Sequence, residues 1–379
     1  MTRSNRKAYI DWARGLAVLL MIAAHTTDAW TRPADKTSFA YGVAVLLGGF
    51  AAPLFLWLAG LGVALSASRI VARTGSRRQA VEAMCTRGLE IFLLAFLFRL
   101  QAFIVSPPST PLKLFRVDIL NVMGPAMVGA ALVWAIGTGS RARVLAYSIV
   151  ATAIAMTTPI VRATHALDWL PIWVQWYLRP AGEFTTFTLF PWAGFVFAGG
   201  AVGTLLAGNA SDAVERRLHL AFGLVGVLLM AGGLVAAEQP TIYRSSSFWT
   251  SSPTWFAIRV GIVMLALGAC FLVELTSRDV TETRSSSNLL RVFVSSWQAP
   301  LAKMGRASLF VYWIHVELVY GYASWLWRGR LPFWGAVVGF VLFSCLMYAA
   351  IGLRDRVVST WRRIGAGRSS GPVVRGVRP

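Results

Sequence analysis

Charge is scarce in this chain of 379 residues: Asp, Glu, Lys and Arg make up 14%, and only 16 side chains are acidic. A water-soluble domain of this length needs more polar surface than that to cover its core. Cysteine is scarcer still. Cys85, Cys270 and Cys345 form an odd, widely spaced set without a Cys-x-x-Cys pair, which argues against a disulfide framework and against a zinc site. No Gly-Lys-Ser or Gly-Lys-Thr occurs, so the phosphate loop of nucleotide-hydrolysing proteins is missing. Nor does an internal repeat suggest the inverted halves of a transporter.

What the chain does have is apolar length: 56% hydrophobic residues, a mean hydropathy of +0.60 and 16 tryptophans. An all-α bundle of about ten transmembrane helices is expected. The apolar runs fall near residues 10–30, 42–66, 88–105, 118–137, 143–161, 185–207, 218–237, 254–275, 306–327 and 331–353, each long enough for a hydrocarbon core of about 30 Å. The net charge of +20 would suit a nucleic-acid binder, but its distribution argues for topology instead. With the amino terminus inside, 25 of the 36 Lys and Arg residues fall on the cytoplasmic side and 9 opposite, which places both termini in the cytoplasm. The first span is too long, and too charged at Asp11 and Arg14, for a cleavable signal peptide.

One membrane domain is expected over residues 1–360, followed by a basic tail without ordered structure over 361–379. The Ser-rich stretch 276–300 reads as the longest cytoplasmic loop and 162–183 as the largest outer one. Trp30, Trp169, Trp173 and Trp176 cluster where spans end, as interfacial anchors do. Gly199 and Gly203 are spaced for close helix contact.

The first span carries the chemistry. Arg14 and His25 are eleven residues apart, so steps of about 100° bring them to nearly one azimuth, roughly 16 Å apart along the helix. Ionisable groups that persist inside a bilayer usually mark a substrate path or a reactive centre. Asp28 shares the face of His25.

The order Asp11-x-x-Arg14-Gly15, an apolar run and His25 resembles the opening helix of the transmembrane acyltransferase superfamily, which includes the acyltransferase-3 proteins with their Arg-x10-His signature. Further segments are similar to the bacterial branch of the heparan-α-glucosaminide N-acetyltransferase family. They are Ala52-Pro53-Leu54-Phe55-Leu56-Trp57-Leu58-Ala59-Gly60, Arg116-Val117-Asp118-Ile119-Leu120-Asn121, Phe190-Pro191-Trp192, and the run Gly305 to His315.

The resemblance implies transfer of an acyl group, usually acetyl, from cytoplasmic acyl-CoA to a hydroxyl or amine of a glycan across a bacterial inner membrane, without a metal. Arg14 would then meet coenzyme A phosphates, unless it merely pairs with Asp11. His25 would act as general base or carry the acyl group itself, the competing reading being a structural hydrogen bond to a neighbouring helix. Asp28 and Asp118 compete to orient its ring, with Asp118 the more enclosed. In the ninth span, where related enzymes carry a histidine, His315 is a candidate to hold the acceptor or steady the thioester, with Tyr312 and Glu317 nearby. Arg99, with Gln101, and Arg259 are expected to line an acceptor entrance or to snorkel outward. Homodimerisation through membrane helices is a further implication. The alternative function is a transporter or flippase for a lipid-linked or small anionic solute, whose mark would be broken helices around its site.

Overall fold

The computed structural model describes residues 7–105, 110–208, 211–282 and 288–369. Among these, thirteen α-helices follow in order: α1 (Ala8–Trp30), α2 (Phe39–Gly48), α3 (Ala51–Thr74), α4 (Arg77–Val105), α5 (Ile119–Ile136), α6 (Ser140–Ala163), α7 (Ile172–Leu178), α8 (Leu189–Ala207), α9 (Asp212–Ala237), α10 (Pro253–Glu282), α11 (Asn288–Arg306), α12 (Ser308–Tyr320) and α13 (Phe333–Ser369). The protein is an all-α polytopic membrane bundle. Nine helical stretches among the described residues are long and apolar enough to cross a bilayer: α1, the α2–α3 pair, α4, α5, α6, α8, α9, α10 and α13. Side chains such as Leu93, Ile104, Leu228 and Leu342 stand exposed on their outward faces, where lipid replaces water as solvent.

The run 306–327, expected as the ninth span, corrects to something shorter. Ala307 leaves the helical conformation between α11 and α12, and Gly321 ends α12 after 13 residues. The run 42–66 is likewise interrupted at Gly49 and Phe50. Hydropathy registers only how apolar a run is, so it passed over both breaks. The stretch 276–300, expected as a loop, is largely helical, because α10 continues to Glu282 and α11 starts at Asn288. Past residue 361 α13 continues to Ser369, and residues 370–379 lie outside the described residues.

Helix α1 sits in the middle and packs against α2, α3, α10, α11, α12 and α13. Its far end is fixed by backbone bonds to the α12–α13 connection: Leu331 N donates to Trp30 O at 3.0 Å, Arg32 N to Leu331 O at 2.8 Å and Gly329 N to Ala29 O at 2.9 Å. Beside them Phe333 N donates to Asp35 Oδ2 at 2.8 Å. That amide, followed by Arg32, holds the Asp35 carboxyl below its usual range. Trp30 and Trp176, expected at the lipid interface, are core residues at 4% and 3% exposure, whereas Trp169 and Trp173 are exposed. Trp30 donates from Nε1 to Val319 O and packs edge-on against Trp327 and Phe343.

The spacing of Gly199 and Gly203 is used as the sequence suggested. A Cβ on Gly199 would lie 1.8 Å from Trp57 O, and one on Gly60 would lie 1.7 Å from Val196 O, so α3 and α8 touch backbone to backbone. Gly199→Val should therefore cost at least about 2 kcal/mol, as overpacking of a close contact does. Gly42→Ala, where nothing lies within 4 Å, should cost nothing and gain up to about 1 kcal/mol of helix propensity. Thermal unfolding of the two purified variants in one detergent checks this; equal midpoints would contradict the packing.

Candidate active site

Residues on one face of α1 (Arg14, Met21, Ala24, His25 and Asp28) line a cavity of about 1030 Å³. The fourteen-residue step from Arg14 to Asp28 spans about 21 Å of helix, so the cavity follows α1 through much of an apolar core's thickness. Both helix breaks border it. Gly48, Gly49 and Ala51 face it from the α2–α3 interruption, and Ser308 faces it from the start of α12. A Cβ on Gly48 would come within 2.7 Å of the Ala24 Cβ, so the end of α2 closes tightly onto the turn of α1 that carries His25.

His25 Nδ1 lies 2.8 Å from His315 Nε2, with the two ring planes parallel to within 2°. His315 has no exposed surface. Its Nδ1 lies 2.8 Å from the carbonyl of Val311 and 2.9 Å from that of Tyr312. Carbonyl oxygens only accept, so the proton of the uncharged His315 ring is on Nδ1 and its Nε2 carries the lone pair. His25 must then donate from Nδ1. Its Nε2, which has no partner among the described residues, is left with a lone pair on a ring that lines the cavity.

This arrangement corrects the expected partnership. Neither carboxylate orients the ring of His25; His315 does. Asp118, the N-cap of α5, pairs with Arg99, and its amide donates to Asn121 Oδ1 at 3.0 Å. Asp28 accepts from Tyr320 Oη at 3.1 Å and from Lys36 Nζ at 3.3 Å. Tyr320 in turn sets its ring edge-on to His25, with centroids 5.6 Å apart, so that phenol bridges Asp28 and the imidazole. His315, considered as a direct contact for substrate, does not line the cavity and reaches it only through His25.

Arg14 lines the cavity at the end where α1 begins and lies 3.6 Å from Asp11, so the cavity and the ion pair share it. Arg99, Arg259, Tyr312 and Glu317 line the cavity, whereas Gln101 accepts from Trp313 Nε1. Sequence reasoning missed Tyr320 and also missed Trp192 and Trp255, whose faces flank the Arg259 guanidinium. The Phe190-Pro191-Trp192 motif was a signal for the former tryptophan; nothing local marked Trp255. On the segment joining α6 to α8, Arg179 and then His165 hold the Asp168 carboxyl below its usual range, which ties that segment together away from the cavity. Among the described residues no group of three or more His, Cys, Asp or Glu side chains is placed to hold a metal ion.

A central helix whose imidazole faces a cavity within a bundle of long apolar helices is the arrangement of a multi-pass membrane protein with a candidate site in its interior. Residues 6–234 match the family described as heparan-alpha-glucosaminide N-acetyltransferase, catalytic, and the chain belongs to that family. It is thus an N-acetyltransferase-like membrane enzyme. No curated protein matches the chain. The matched residues run through most of α9 and include Arg14, His25, Arg99 and Asp118, whereas Arg259, Tyr312, His315 and Glu317 lie beyond them.

Proposed function

We propose that the protein moves an acyl group, in the first instance acetyl, from cytoplasmic acyl-CoA to a hydroxyl or amino group of a glycan on the far side of a bacterial inner membrane. The observation that carries the reading is the unpartnered Nε2 of His25, fixed by His315 in a cavity that also contains Arg14. The charge asymmetry of the loops supports a cytoplasmic start for α1, and with it for Arg14. Coenzyme A phosphates meet the guanidinium there, and the pantetheine arm runs along α1 until the thioester lies beside His25.

The acceptor enters from the opposite end. Its hydroxyl or amine attacks the thioester carbonyl while His25 Nε2 takes its proton, and the C–S bond breaks to release coenzyme A as the thiolate. The imidazolium formed on His25 keeps its Nδ1 proton directed at His315 Nε2, and Asp28 beyond Tyr320 supplies a nearby negative charge. The broken helices that border the cavity are also what a transporter would have, but membership of an acetyltransferase family favours catalysis.

Incubation of the purified chain with acetyl-labelled acetyl-CoA and a panel of amino sugars tests the proposal. Labelled sugar is the expected product; a label that never leaves coenzyme A would refute it. Within that assay Arg14→Ala should raise KM for acetyl-CoA about tenfold or more and leave kcat nearly unchanged, since a charge-assisted contact to phosphate is lost. A fall in kcat at constant KM would remove Arg14 from donor binding.

A further inference from the structure

Arg259 lies in the first two turns of α10, with its guanidinium 4.8 Å from the ring centroid of Trp255 and 5.6 Å from that of Trp192. It lines the cavity, its Nε is buried without a hydrogen-bond partner, and no carboxylate pairs with it among the described residues. Three acids line that end of the cavity and none of them pairs with Arg259: Asp118 is engaged by Arg99, Asp28 by Lys36 and Tyr320, and Glu317 lies in charge contact with Arg99.

Three more cations line the same end. Arg116 donates from Nε to Thr186 Oγ1 at 3.1 Å and Arg328 donates from Nη1 to Tyr320 O at 2.7 Å, so neutral acceptors hold both in place; Lys113 completes the group. A guanidinium withdrawn from water requires acceptors or a counter-charge, and tryptophan faces replace only part of its hydration. Five cations, Arg99, Lys113, Arg116, Arg259 and Arg328, thus face three carboxylates, Asp28, Asp118 and Glu317, and Arg259 is left without a counter-charge among the described residues.

We propose that Arg259, held between Trp192 and Trp255, is a subsite for an anionic substituent of the acceptor: a carboxylate, or a phosphate or sulfate ester, carried on the sugar. The planar fork receives such a group through two parallel hydrogen bonds, while Lys113, Arg116 and Arg328 draw acidic chains to the mouth. The inference rests on the transferase reading and narrows its acceptor to an acidic glycan. Arg259 is then the residue that separates acidic from neutral sugars.

Binding measured on the full chain in lipid nanodiscs tests this, with glucose, glucuronate, glucose 6-phosphate, inorganic phosphate and acetyl-CoA as probes. At least one acidic sugar should bind about tenfold or more tighter than glucose and tighter than inorganic phosphate. Arg259→Gln should erase that preference, Arg259→Lys should keep part of it, and acetyl-CoA affinity should be the same in all three proteins. On the unmutated chain, the favoured acidic sugar should protect Arg259 from modification by phenylglyoxal, read by mass spectrometry, and glucose should not.

Equal binding of acidic and neutral sugars overturns the subsite, as does a preference that survives in Arg259→Gln. Inorganic phosphate bound as tightly as the sugars would make it a free-anion site, and a loss that falls on acetyl-CoA would assign it to the donor; both contradict the proposal. If acidic sugars bind as expected but acetyl never leaves coenzyme A, the subsite stands and the transferase reading falls. If the unmutated chain acetylates acidic and neutral sugars alike, the transferase reading stands and the subsite falls.

Discussion

His25→Ala should lower the turnover of acetyl-CoA into acetylated sugar by about 10³-fold, within the range that a positioned general base supplies. The reason is local. His25 Nε2 is the imidazole nitrogen left with a free lone pair in the cavity, because Nδ1 is engaged by His315 at 2.8 Å. In the proposed arrangement the donor is held through Arg14, about 16 Å away along α1, so the affinity for acetyl-CoA should change little. Rates from the labelled-sugar assay, set beside acetyl-CoA binding to the same preparation, separate the two effects. A variant that binds the donor and turns it over at the normal rate would exclude His25 from the chemistry.

His315→Ala should lower kcat by about 10²-fold without a matching change in KM, although His315 touches neither substrate. In the proposed mechanism it is a positioning residue. Without its Nε2 to accept, the ring of His25 is free to rotate and to put its proton on either nitrogen, so the reactive tautomer is held only part of the time. A side chain that accepts at the same place should restore part of the loss. His315→Gln offers a carbonyl oxygen to the Nδ1 proton and is expected to recover activity over His315→Ala, whereas His315→Leu is not. If Gln and Leu behave alike at equal thermal stability, His315 serves packing and the tautomer argument fails.

Much of the fold was legible because lipid imposes a one-dimensional rule: apolar length marks a span. Eight of the nine spanning stretches need no long-range information, since each is a run of its own; α2 and α3 appeared as one run because hydropathy is blind to the break at Gly49 and Phe50. The close contact of α3 with α8 was visible in the Gly199–Gly203 spacing, because a missing Cβ is itself a statement about distance.

The site was legible by halves. Arg14, His25 and Asp28 lie on one helix, where an angle of about 100° per residue fixes their relation. The His25–His315 pair spans 290 positions, and no periodicity connects them. Asp118 looked like the better partner because burial was the only criterion that sequence offered, and burial cannot show that Arg99 reaches the carboxylate first. Likewise Tyr320, which links Asp28 to the ring of His25, is brought there only by the packing of α12 against α1.

The central claim is that donor and reactive imidazole share the cavity along α1, and an experimentally determined structure of the full chain with acetyl-CoA bound tests it most directly. The account predicts phosphates within hydrogen-bonding reach of Arg14 and the thioester in the cavity beside His25 Nε2. Acetyl-CoA seated outside the cavity, or entering with its phosphates at Lys113 and Arg116, would contradict it.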